Sequence, residues 1–328
     1  MSNQKNIKLT IAIPTYNRCE YLAKLLAELS SLDLKNDSEI LIVDNASTDE
    51  TSSVLARYKN NPNFTILENN YNIGIEGNII KALTNAAGEF VWLLSDHMQI
   101  HTIGANNLLN AIRNSSSIDI GYAQIESYGS VLEPSKPREL KSLSLAEKAK
   151  MIFCTSNISG LVVRSTLIQK SIRSIYRMSR YTYPHLGVYF HLNESDRIIE
   201  FQCCTAFQAS NKTTYSKSYD TFVSRFIEYP KLLAELKLIN PAFNINGLET
   251  KIKSYTAALH GELLNRLLKQ DNIFSASDLC TALTLYSGVY KSIFLSAWIL
   301  SFLPLSWRNK ILHKMLKIFF PSKYKIFI

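Results

Sequence analysis

The sequence predicts an α/β protein with a doubly wound, mostly parallel sheet, followed by a helical C-terminal region. Three observations lead to this prediction. Short apolar runs alternate with amphipathic helical patterns through the first hundred residues. Polar side chains follow these apolar runs, at the positions where doubly wound sheets bind ligands. Beyond about Asp220 the strand pattern stops, and the remaining residues have the composition of helices.

The first strand–helix unit is the clearest. Residues 8–14 predict a strand with apolar side chains on one face. An apolar stripe from Leu22 to Leu29 predicts the helix that follows. Asn17 and Glu20 stand ahead of that stripe at capping-box spacing, which predicts the start of the helix.

The alternation then continues along the chain. The nearly continuous apolar run 39–44 is typical of a strand buried on both faces. Ser47 and Glu50 repeat the capping-box spacing and predict a second helix. The next elements are a strand over 64–69, a helix over 76–87 that Gly88 ends, and a strand over 89–95.

A second, less regular half follows Asp96. Its sequence pattern first predicts a helix over 104–113, a strand over 118–126 and a polar surface segment over 127–142. The predicted elements that follow are a helix capped by Ser144 and Glu147, a strand over 157–165, a helix that begins within 183–192 and a strand over 197–207. Strands joined by helices require right-handed crossovers, which favour a parallel sheet.

Composition and charge exclude several classes of protein. The chain has 328 residues, of which 46% are hydrophobic, so it can bury a sizeable core. Its five cysteines lack CxxC spacing, which indicates neither a disulfide framework nor a zinc site and favours a reducing compartment. The N-terminus has no apolar segment typical of a secretion signal. Most of the net charge of +9 lies within 291–328, which argues against a nucleic-acid-coating protein.

Six sequence segments carry a family resemblance. In chain order they are "TIAIPTYNR", "ILIVDNASTDET", "NYNIGIEGNIIKAL", "GEFVWLLSD", "NISGLVVRS" and "YPHL". In this order, across roughly residues 7 to 215, they resemble glycosyltransferase family 2, which comprises nucleotide-sugar transferases of the GT-A fold. The resemblance implies an enzyme that transfers a sugar, with inversion, from a nucleotide-diphospho-sugar. Family habit favours a UDP-sugar.

The resemblance also implies a nucleotide-sugar site. Its residues here are Pro14, Tyr16, Asn17, Asp44, Asn72, Gly74, Asn78 and Asp96. Asp44 matches the acid that reads the base edge, although an acid after a strand can also simply cap the next helix. Asp96 matches the first acid of the DxD-type motif and is expected to be catalytic. The alternative for Asp96 is a solvated carboxylate at the end of a strand.

The metal site is expected to be reduced. In the family, the DxD motif grips the ribose and, through Mg²⁺ or Mn²⁺, the diphosphate. Here the motif is Asp96-His97-Met98, so its second acid is missing. Asp96 and His97 remain as candidate metal ligands, and the cation is expected to be weakly bound, Mn²⁺-leaning or dispensable, since imidazole suits Mg²⁺ poorly. Met98 is interpreted as a packing residue.

The acceptor side is less sharply defined. His185, in "YPHL", matches the position at which the family usually has an acidic catalytic base. The resemblance therefore implies that His185 is the catalytic base, and the alternative is a packed histidine. Ser159 and Gly160 are interpreted as an acceptor-side turn or as a plain strand-edge turn. Tyr215 and Lys217 lie in a polar loop that either closes over the donor or links two regions.

The predicted domains are a GT-A domain over 1–219 and a helical region over 220–328. The donor half of the first covers about 1–100 and the acceptor half about 101–219. The segment 291–328, the basic tail, contains "WRNKILHKMLKIFF", in which an apolar face opposes Lys310, Lys314 and Lys317. This composition predicts binding to an anionic membrane surface. The alternatives are a surface helix or a dimer contact.

The resemblance and the Asn-, Lys- and Ile-rich composition together favour a bacterial surface-polysaccharide enzyme, in O-antigen or capsule biosynthesis, cytoplasmic and peripheral on the inner face of the cytoplasmic membrane. Its acceptor is expected to be a glycan or a polyprenyl-linked glycan, and no nucleic acid partner is expected. One alternative is an inactive GT-A domain that binds a nucleotide or glycan within an assembly. A nucleotidyltransferase ranks last, because "PTYNRCEY" lacks the glycines of its phosphate loop.

Overall fold

A computed structural model describes most of the first 243 residues. The described residues are 6–114, 118–126, 134–207 and 229–243, with 280, 295, 299, 300, 302, 307, 310, 311 and 314. The chain divides into two compact units, Met1–Thr214 with Leu236–Ile245, and Tyr215–Glu235 with Asn246–Ile328. The predicted domain boundary after residue 219 stays a prediction. The loop with Tyr215 and Lys217 lies outside the described residues.

One sheet organises the first unit. Its strands are β1 (Leu9–Thr15), β2 (Ser38–Asp44), β3 (Phe64–Glu68), β4 (Phe90–Leu93), β5 (Met98–Ile100), β6 (Ile120–Glu126), β7 (Arg138–Glu139), β8 (Leu161–Arg164) and β9 (Arg197–Phe207). The strand order is β3-β2-β1-β4-β8-β6-β9-β5, and β7 pairs with β9.

The first half of the sheet is parallel, as predicted. β1 lies between β2 and β4, and β2 also pairs with β3. Every residue of β1, β2 and β4 is buried, which explains their continuous apolar runs, whereas the edge strand β3 is partly exposed. Because these strands run the same way, their carboxyl ends share one edge of the sheet.

The second half of the sheet mixes strand directions. β8 is antiparallel to both β4 and β6, and β6 is parallel to β9. β5 and β7 are short strands antiparallel to β9. The α/β fold class is confirmed, and the mixed half follows the residues at which the sequence pattern loses its regularity.

Seven α-helices are found among the described residues. They are α1 (Cys19–Leu29), α2 (Thr51–Ala56), α3 (Gly74–Asn85), α4 (Thr102–Asn114), α5 (Leu145–Ser156), α6 (Ser165–Met178) and α7 (Tyr229–Ile239). The leucines of α1 and α4 pack with Trp92 and Phe201 in the core. In the described part of the chain, no helix is both long and apolar enough to cross a bilayer.

Two of the three capping predictions are wrong. α1 begins after Arg18 without a side-chain cap, and Asn17, with φ 52°, instead accepts a hydrogen bond from the Thr48 backbone N–H. α2 begins four residues after Ser47, whose hydroxyl donates to Asp44. In both cases the polar side chain bonds to a loop at the sheet edge rather than to a helix. The capping box of Ser144 and Glu147 is confirmed.

Gly88 does not end a helix. α3 ends at Asn85, and Gly88 lies against β1, where a Cβ atom would stand 2.6 Å from the Thr10 backbone nitrogen. The predicted helix within 183–192 is a 3₁₀ helix over Pro184–His191. The predictions did not include α6 or β5.

Candidate active site

Asp96 lies beyond the carboxyl end of β4, and only 3% of the residue is exposed. The Thr15 hydroxyl donates to Asp96 Oδ2 at 2.9 Å, and Arg18 Nη1 donates to Asp96 Oδ1 at 2.9 Å. One carboxylate oxygen is therefore held by the last residue of β1 and the other by the loop that follows β1. The alternative of a solvated carboxylate is wrong.

Two opposing effects act on the pKa of Asp96. Burial raises it, because a charged carboxylate is costly to desolvate. The His97 side chain, the positive charge of Arg18 and the hydrogen bond from Thr15 lower it, and together they leave the pKa below its ordinary value. Asp96 is therefore ionised at neutral pH, as one half of an ion pair with Arg18.

His97 lies beside this ion pair. Its Nδ1 atom is 2.7 Å from the Ser95 hydroxyl and 3.1 Å from Arg18 Nη1. Met98 begins β5 and is completely buried in the core, which confirms its interpretation as a packing residue. The three positions of the DxD-type motif thus provide one paired acid, one hydrogen-bonded imidazole and one core side chain.

Asp44 ends β2 on the other side of β1. Its register partner is Thr15, the residue whose hydroxyl binds Asp96, so Thr15 stands between the two acids. The Ser47 backbone N–H donates to Asp44 Oδ1 at 3.3 Å, and the Ser47 hydroxyl donates to the same oxygen. Asp44 therefore closes a turn within its own loop. Its predicted contact with a nucleotide base stays a prediction.

Asparagine side chains join the loops at this edge. Asn17 connects the loop after β1 to the loop after β2, through Ser47 and Thr48. Asn45, which the sequence analysis missed, connects the loop after β2 to the loop after β3. Its Nδ2 donates to Asn72 Oδ1 at 2.8 Å and to the Gly74 carbonyl at 3.1 Å. The edge is thus preorganised by amide hydrogen bonds.

Asn78 is a buried residue that contacts the end of β2 and the loop after β3. It is 2% exposed, and its Nδ2 donates to the Val43 carbonyl at 2.9 Å. Its Oδ1 accepts from Asn69 at 3.0 Å. These contacts give Asn78 a positioning role at the edge. Its predicted contact with a nucleotide sugar stays a prediction.

The remaining predicted donor residues lie at the same edge. Pro14 is buried within β1, and Tyr16 follows that strand with 38% of its surface exposed. Asn72 is exposed, and Gly74 adopts φ 81°, a left-handed conformation that glycine adopts readily. The structure therefore brings the eight predicted nucleotide-sugar residues to the carboxyl edge of the parallel half-sheet.

Ser159 and Gly160 lie in a 3₁₀ turn before β8, next to β4. The buried Ser159 hydroxyl accepts from the Ser95 backbone N–H at 3.0 Å, and the Ser159 carbonyl accepts from Trp92 Nε1 at 2.9 Å. Gly160 packs so closely on the Cys154 carbonyl that a side chain there would collide with it. These contacts support the loop that carries Asp96. An acceptor contact stays a prediction for both residues.

His185 is completely buried in the 3₁₀ helix over Pro184–His191. Its Nε2 lies 2.8 Å from the Thr155 carbonyl. A carbonyl only accepts, so Nε2 donates and Nδ1 is the unprotonated atom, which has no partner among the described residues. Burial lowers the pKa of His185 to about 4. This geometry favours the packed-histidine alternative, and the role of catalytic base stays a prediction.

Thr15, Arg18 and Ser95 were not among the predicted site residues. All three contact Asp96 or His97. Thr15 and Arg18 belong to "PTYNR", the segment already interpreted as the loop beside the nucleotide. Their position in that loop was the available signal. The contacts of Thr15 and Arg18 with Asp96, about eighty residues away in sequence, are visible only in the fold.

A parallel half-sheet with acids at its carboxyl edge, joined to a mixed half-sheet, is an α/β domain with a ligand site at that edge. Comparison with known sequences shows that this domain is of the glycosyltransferase class. The model of glycosyl transferase family 2 matches residues 10–175, half of the chain. The chain belongs to this family.

Two relatives show the extent of the similarity. Abequosyltransferase RfbV of Salmonella typhimurium is 40% identical over 88 residues, which cover 26% of each chain. The GalNAc(5)-diNAcBac-PP-undecaprenol beta-1,3-glucosyltransferase of Campylobacter jejuni is 29% identical over 155 residues, 47% of this chain and 49% of the relative. The matched segments thus span half or less of the length of these relatives.

Two solved structures share the fold. The TarS fragment 1–349 from Staphylococcus aureus, in complex with UDP-GlcNAc, has a TM-score of 0.57 and 16% identity, covering 89% of this chain and 82% of that chain. The mannosyltransferase PcManGT from Pyrobaculum calidifontis, in complex with GDP-Man and Mn²⁺, has a TM-score of 0.53 and 15% identity, covering 97% and 89%. At these identities the likeness concerns the fold alone.

Proposed function

We propose that the chain transfers a sugar, with inversion at the anomeric carbon, from a nucleotide-diphospho-sugar to a glycan or lipid-linked glycan. The pathway we propose is bacterial surface-polysaccharide assembly. The observation that carries the proposal is the position of two acids, Asp44 and Asp96, on either side of Thr15 at the ligand-binding edge of a family 2 fold.

The chemistry requires groups of this kind at this edge. Displacing a nucleoside diphosphate from a sugar builds negative charge on the leaving phosphate oxygens, and preorganised positive groups stabilise that charge. A carboxylate accepts hydrogen bonds from a ring N–H or from hydroxyls. Asp44 is assigned to the nucleoside and Asp96, with its bound Arg18, to the diphosphate side.

The composition of the basic tail is the reason to propose a lipid-linked acceptor. Trp307 and Ile311 are exposed apolar residues, and Lys310 and Lys314 are exposed as well. A helix that carries both kinds of side chain can lie at an anionic membrane surface. Such binding would place the enzyme at the cytoplasmic face of the inner membrane, on the surface that holds a polyprenyl-linked glycan.

A donor panel tests the proposed reaction. Purified protein is titrated with UDP-, GDP-, dTDP- and CDP-sugars, with and without Mn²⁺, and sugar release is followed with a lipid-linked acceptor. We expect one nucleotide class to bind and turn over, and NMR of the product to show an inverted anomeric centre. If no nucleotide sugar binds or turns over under any condition, the proposal is wrong.

The second candidate is a catalytically inactive GT-A domain that binds a nucleotide or glycan. The missing second acid at Met98 and the burial of His185 favour it. Asp96→Ala separates the two candidates. In an enzyme, the substitution should lower kcat/KM at least about 100-fold, because it removes the partner that holds Arg18. Glu20→Gln, an exposed acid on α1, is the matched control and should retain activity.

The outcome for the second candidate is different. An inactive domain shows donor binding by calorimetry in the wild type but no turnover, so Asp96→Ala changes only the affinity. Wild-type turnover would exclude the second candidate, and turnover that survives Asp96→Ala unchanged would contradict the role assigned to Asp96 in the first.

A further inference from the structure

A guanidinium stands next to the motif acid, where the family resemblance implies a metal ion. Arg18 Nη1 lies 2.9 Å from Asp96 Oδ1 and 3.1 Å from His97 Nδ1. The Asp96 side chain is 5% exposed and that of Arg18 is 28% exposed. The carboxylate is therefore the buried partner, and the cation of the pair faces the solvent at the ligand-binding edge.

The residues present do not fit a resident divalent cation. Mg²⁺ and Mn²⁺ need oxygen-rich ligand sets. Of the Asp96 oxygens, one accepts from Thr15 and the other from Arg18. His97 Nδ1 is within hydrogen-bonding distance of Ser95 and Arg18, and Met98 is buried in the core. No group of three His, Cys, Asp or Glu side chains suited to a metal ion is found in the described residues.

Electrostatics leads to the same result. The Arg18–Asp96 ion pair has no net charge, so it attracts a dication less strongly than an unpaired carboxylate would. A cation bound at Asp96 would also lie within a few ångströms of the Arg18 guanidinium, and the two positive charges would repel each other. Metal binding would thus require the Arg18–Asp96 pair to break.

We propose that Arg18 takes the place of the divalent cation: the donor diphosphate binds the Arg18 guanidinium, which Asp96 holds in position, and binding needs no metal ion. This proposal rests on the proposed function. Arg18 uses Nη1 for Asp96 and His97, while Nε and Nη2 form no hydrogen bond with the described residues. A guanidinium can present such N–H groups to two phosphate oxygens at once, a geometry that lysine lacks.

The experiment measures binding of UDP, GDP, dTDP and CDP by calorimetry, in EDTA and in Mn²⁺, for wild type, Arg18→Ala, Arg18→Lys and the control Lys24→Ala. Lys24 is exposed on α1. In wild type we expect the dissociation constant of the preferred nucleotide to agree within about threefold in EDTA and Mn²⁺. Arg18→Ala should raise the dissociation constant in EDTA about 10- to 100-fold, because it removes charge-assisted hydrogen bonds to the diphosphate. Lys24→Ala should bind as wild type.

The variants also distinguish charge from shape. Arg18→Lys keeps the positive charge but not the planar fork, so it should bind more weakly than wild type and remain insensitive to EDTA. Arg18→Ala frees Asp96 Oδ1, so Mn²⁺ should partly restore its nucleotide affinity. In the absence of nucleotide, wild-type protein should leave the paramagnetic resonance signal of free Mn²⁺ unchanged.

Three results would overturn the inference. They are at least tenfold tighter wild-type binding in Mn²⁺ than in EDTA, loss of the free Mn²⁺ signal on adding wild-type protein alone, and unaltered affinity in a folded Arg18→Ala variant. The wild-type measurements decide the matter even if Arg18→Ala does not fold. Metal-dependent binding overturns this inference while the proposed function stands, whereas no binding of any nucleotide in either buffer overturns both.

Discussion

At the scale of single residues, burial has opposite outcomes for two titratable groups, Asp96 and His185. Asp96 is buried with a cation beside it and stays charged. His185 is buried and donates to the Thr155 carbonyl, its one hydrogen-bond partner among the described residues, and burial keeps it neutral. A neutral imidazole with an unprotonated Nδ1 can accept a proton in principle, but a pKa of about 4 makes it a weak base near neutral pH.

His185 predicts a pH dependence of stability. Its pKa is lowered from 6.5 to about 4 in the folded state. Between these values the unfolded chain binds a proton that the folded chain does not, so the free energy of unfolding falls as pH falls from 6.5 to 4. The loss should reach about 3 kcal/mol from this residue alone.

His185→Gln tests this prediction, because glutamine can donate to the Thr155 carbonyl but does not titrate. Urea unfolding at pH 7.0, 6.0 and 5.0 should show a smaller loss of stability in the variant than in wild type. His191, whose pKa burial also lowers, contributes a slope of the same sign to both proteins, so the difference between the two curves isolates His185. Parallel curves would contradict the assignment.

Sequence patterns located the acids but not their partners. Asp44 and Asp96 were expected at the ligand edge because each follows an apolar strand, and the structure places them there. Asn17 and Ser47 were misassigned as helix caps, since capping-box spacing is a local signal and their actual partners lie in another loop or on Asp44. Arg18 was missed because its partner is distant in sequence.

At the scale of elements, close backbone contact at Gly88 fixes β4 against β1 near the amino ends of these strands, opposite the ligand-binding edge. Gly88 lies where the chain enters β4, and its N–H donates to the Thr10 hydroxyl at 2.8 Å. A Cβ there would stand 2.6 Å from the Thr10 backbone nitrogen and 2.7 Å from the Phe90 carbonyl. Because both contacts are to backbone atoms in the centre of the sheet, neither can move without displacing a strand.

We therefore expect Gly88→Ala to lower the free energy of unfolding by about 2–3 kcal/mol. Gly77→Ala is the matched control, because Gly77 lies inside α3 and the nearest atom to its added Cβ would be in the flexible Ile73 side chain, at 3.2 Å. Alanine there should change stability by no more than about 1 kcal/mol. Thermal or urea unfolding of both variants measures the two changes in the free energy of unfolding. Equal changes would show that the close backbone contact at Gly88 adds no destabilisation of its own.

Periodicity identified the parallel elements more readily than the later ones. β1, β2 and β4 are buried on both faces, so their apolar runs were unambiguous. β5 has only three residues and pairs with β9 about a hundred positions later, which no local pattern shows. α6 was missed although Leu167, Ile168 and Ile175 form a buried stripe along it.

At the scale of the whole molecule, charge is concentrated in a segment far from the donor residues in sequence. The chain carries a net charge of +9, and its last 38 residues contain seven Lys or Arg and no acid. Such a distribution does not bear on the fold, but it does bear on which surfaces the protein binds. For a transferase with a lipid-linked acceptor, the relevant surface is a membrane.

The basic tail therefore predicts sedimentation with vesicles of mixed phosphatidylglycerol and phosphatidylcholine, and weak binding to phosphatidylcholine alone. Lys310→Gln with Lys314→Gln should weaken partitioning about 30-fold, since each lysine near an anionic surface contributes about 1 kcal/mol. Lys24→Gln with Lys59→Gln, which removes two exposed charges from the donor half, should have little effect.

Raising the salt concentration should weaken wild-type binding, because the attraction is screened. Equal binding to both vesicle types would instead indicate that apolar residues such as Trp307 and Ile311 dominate, and that the lysines have another role.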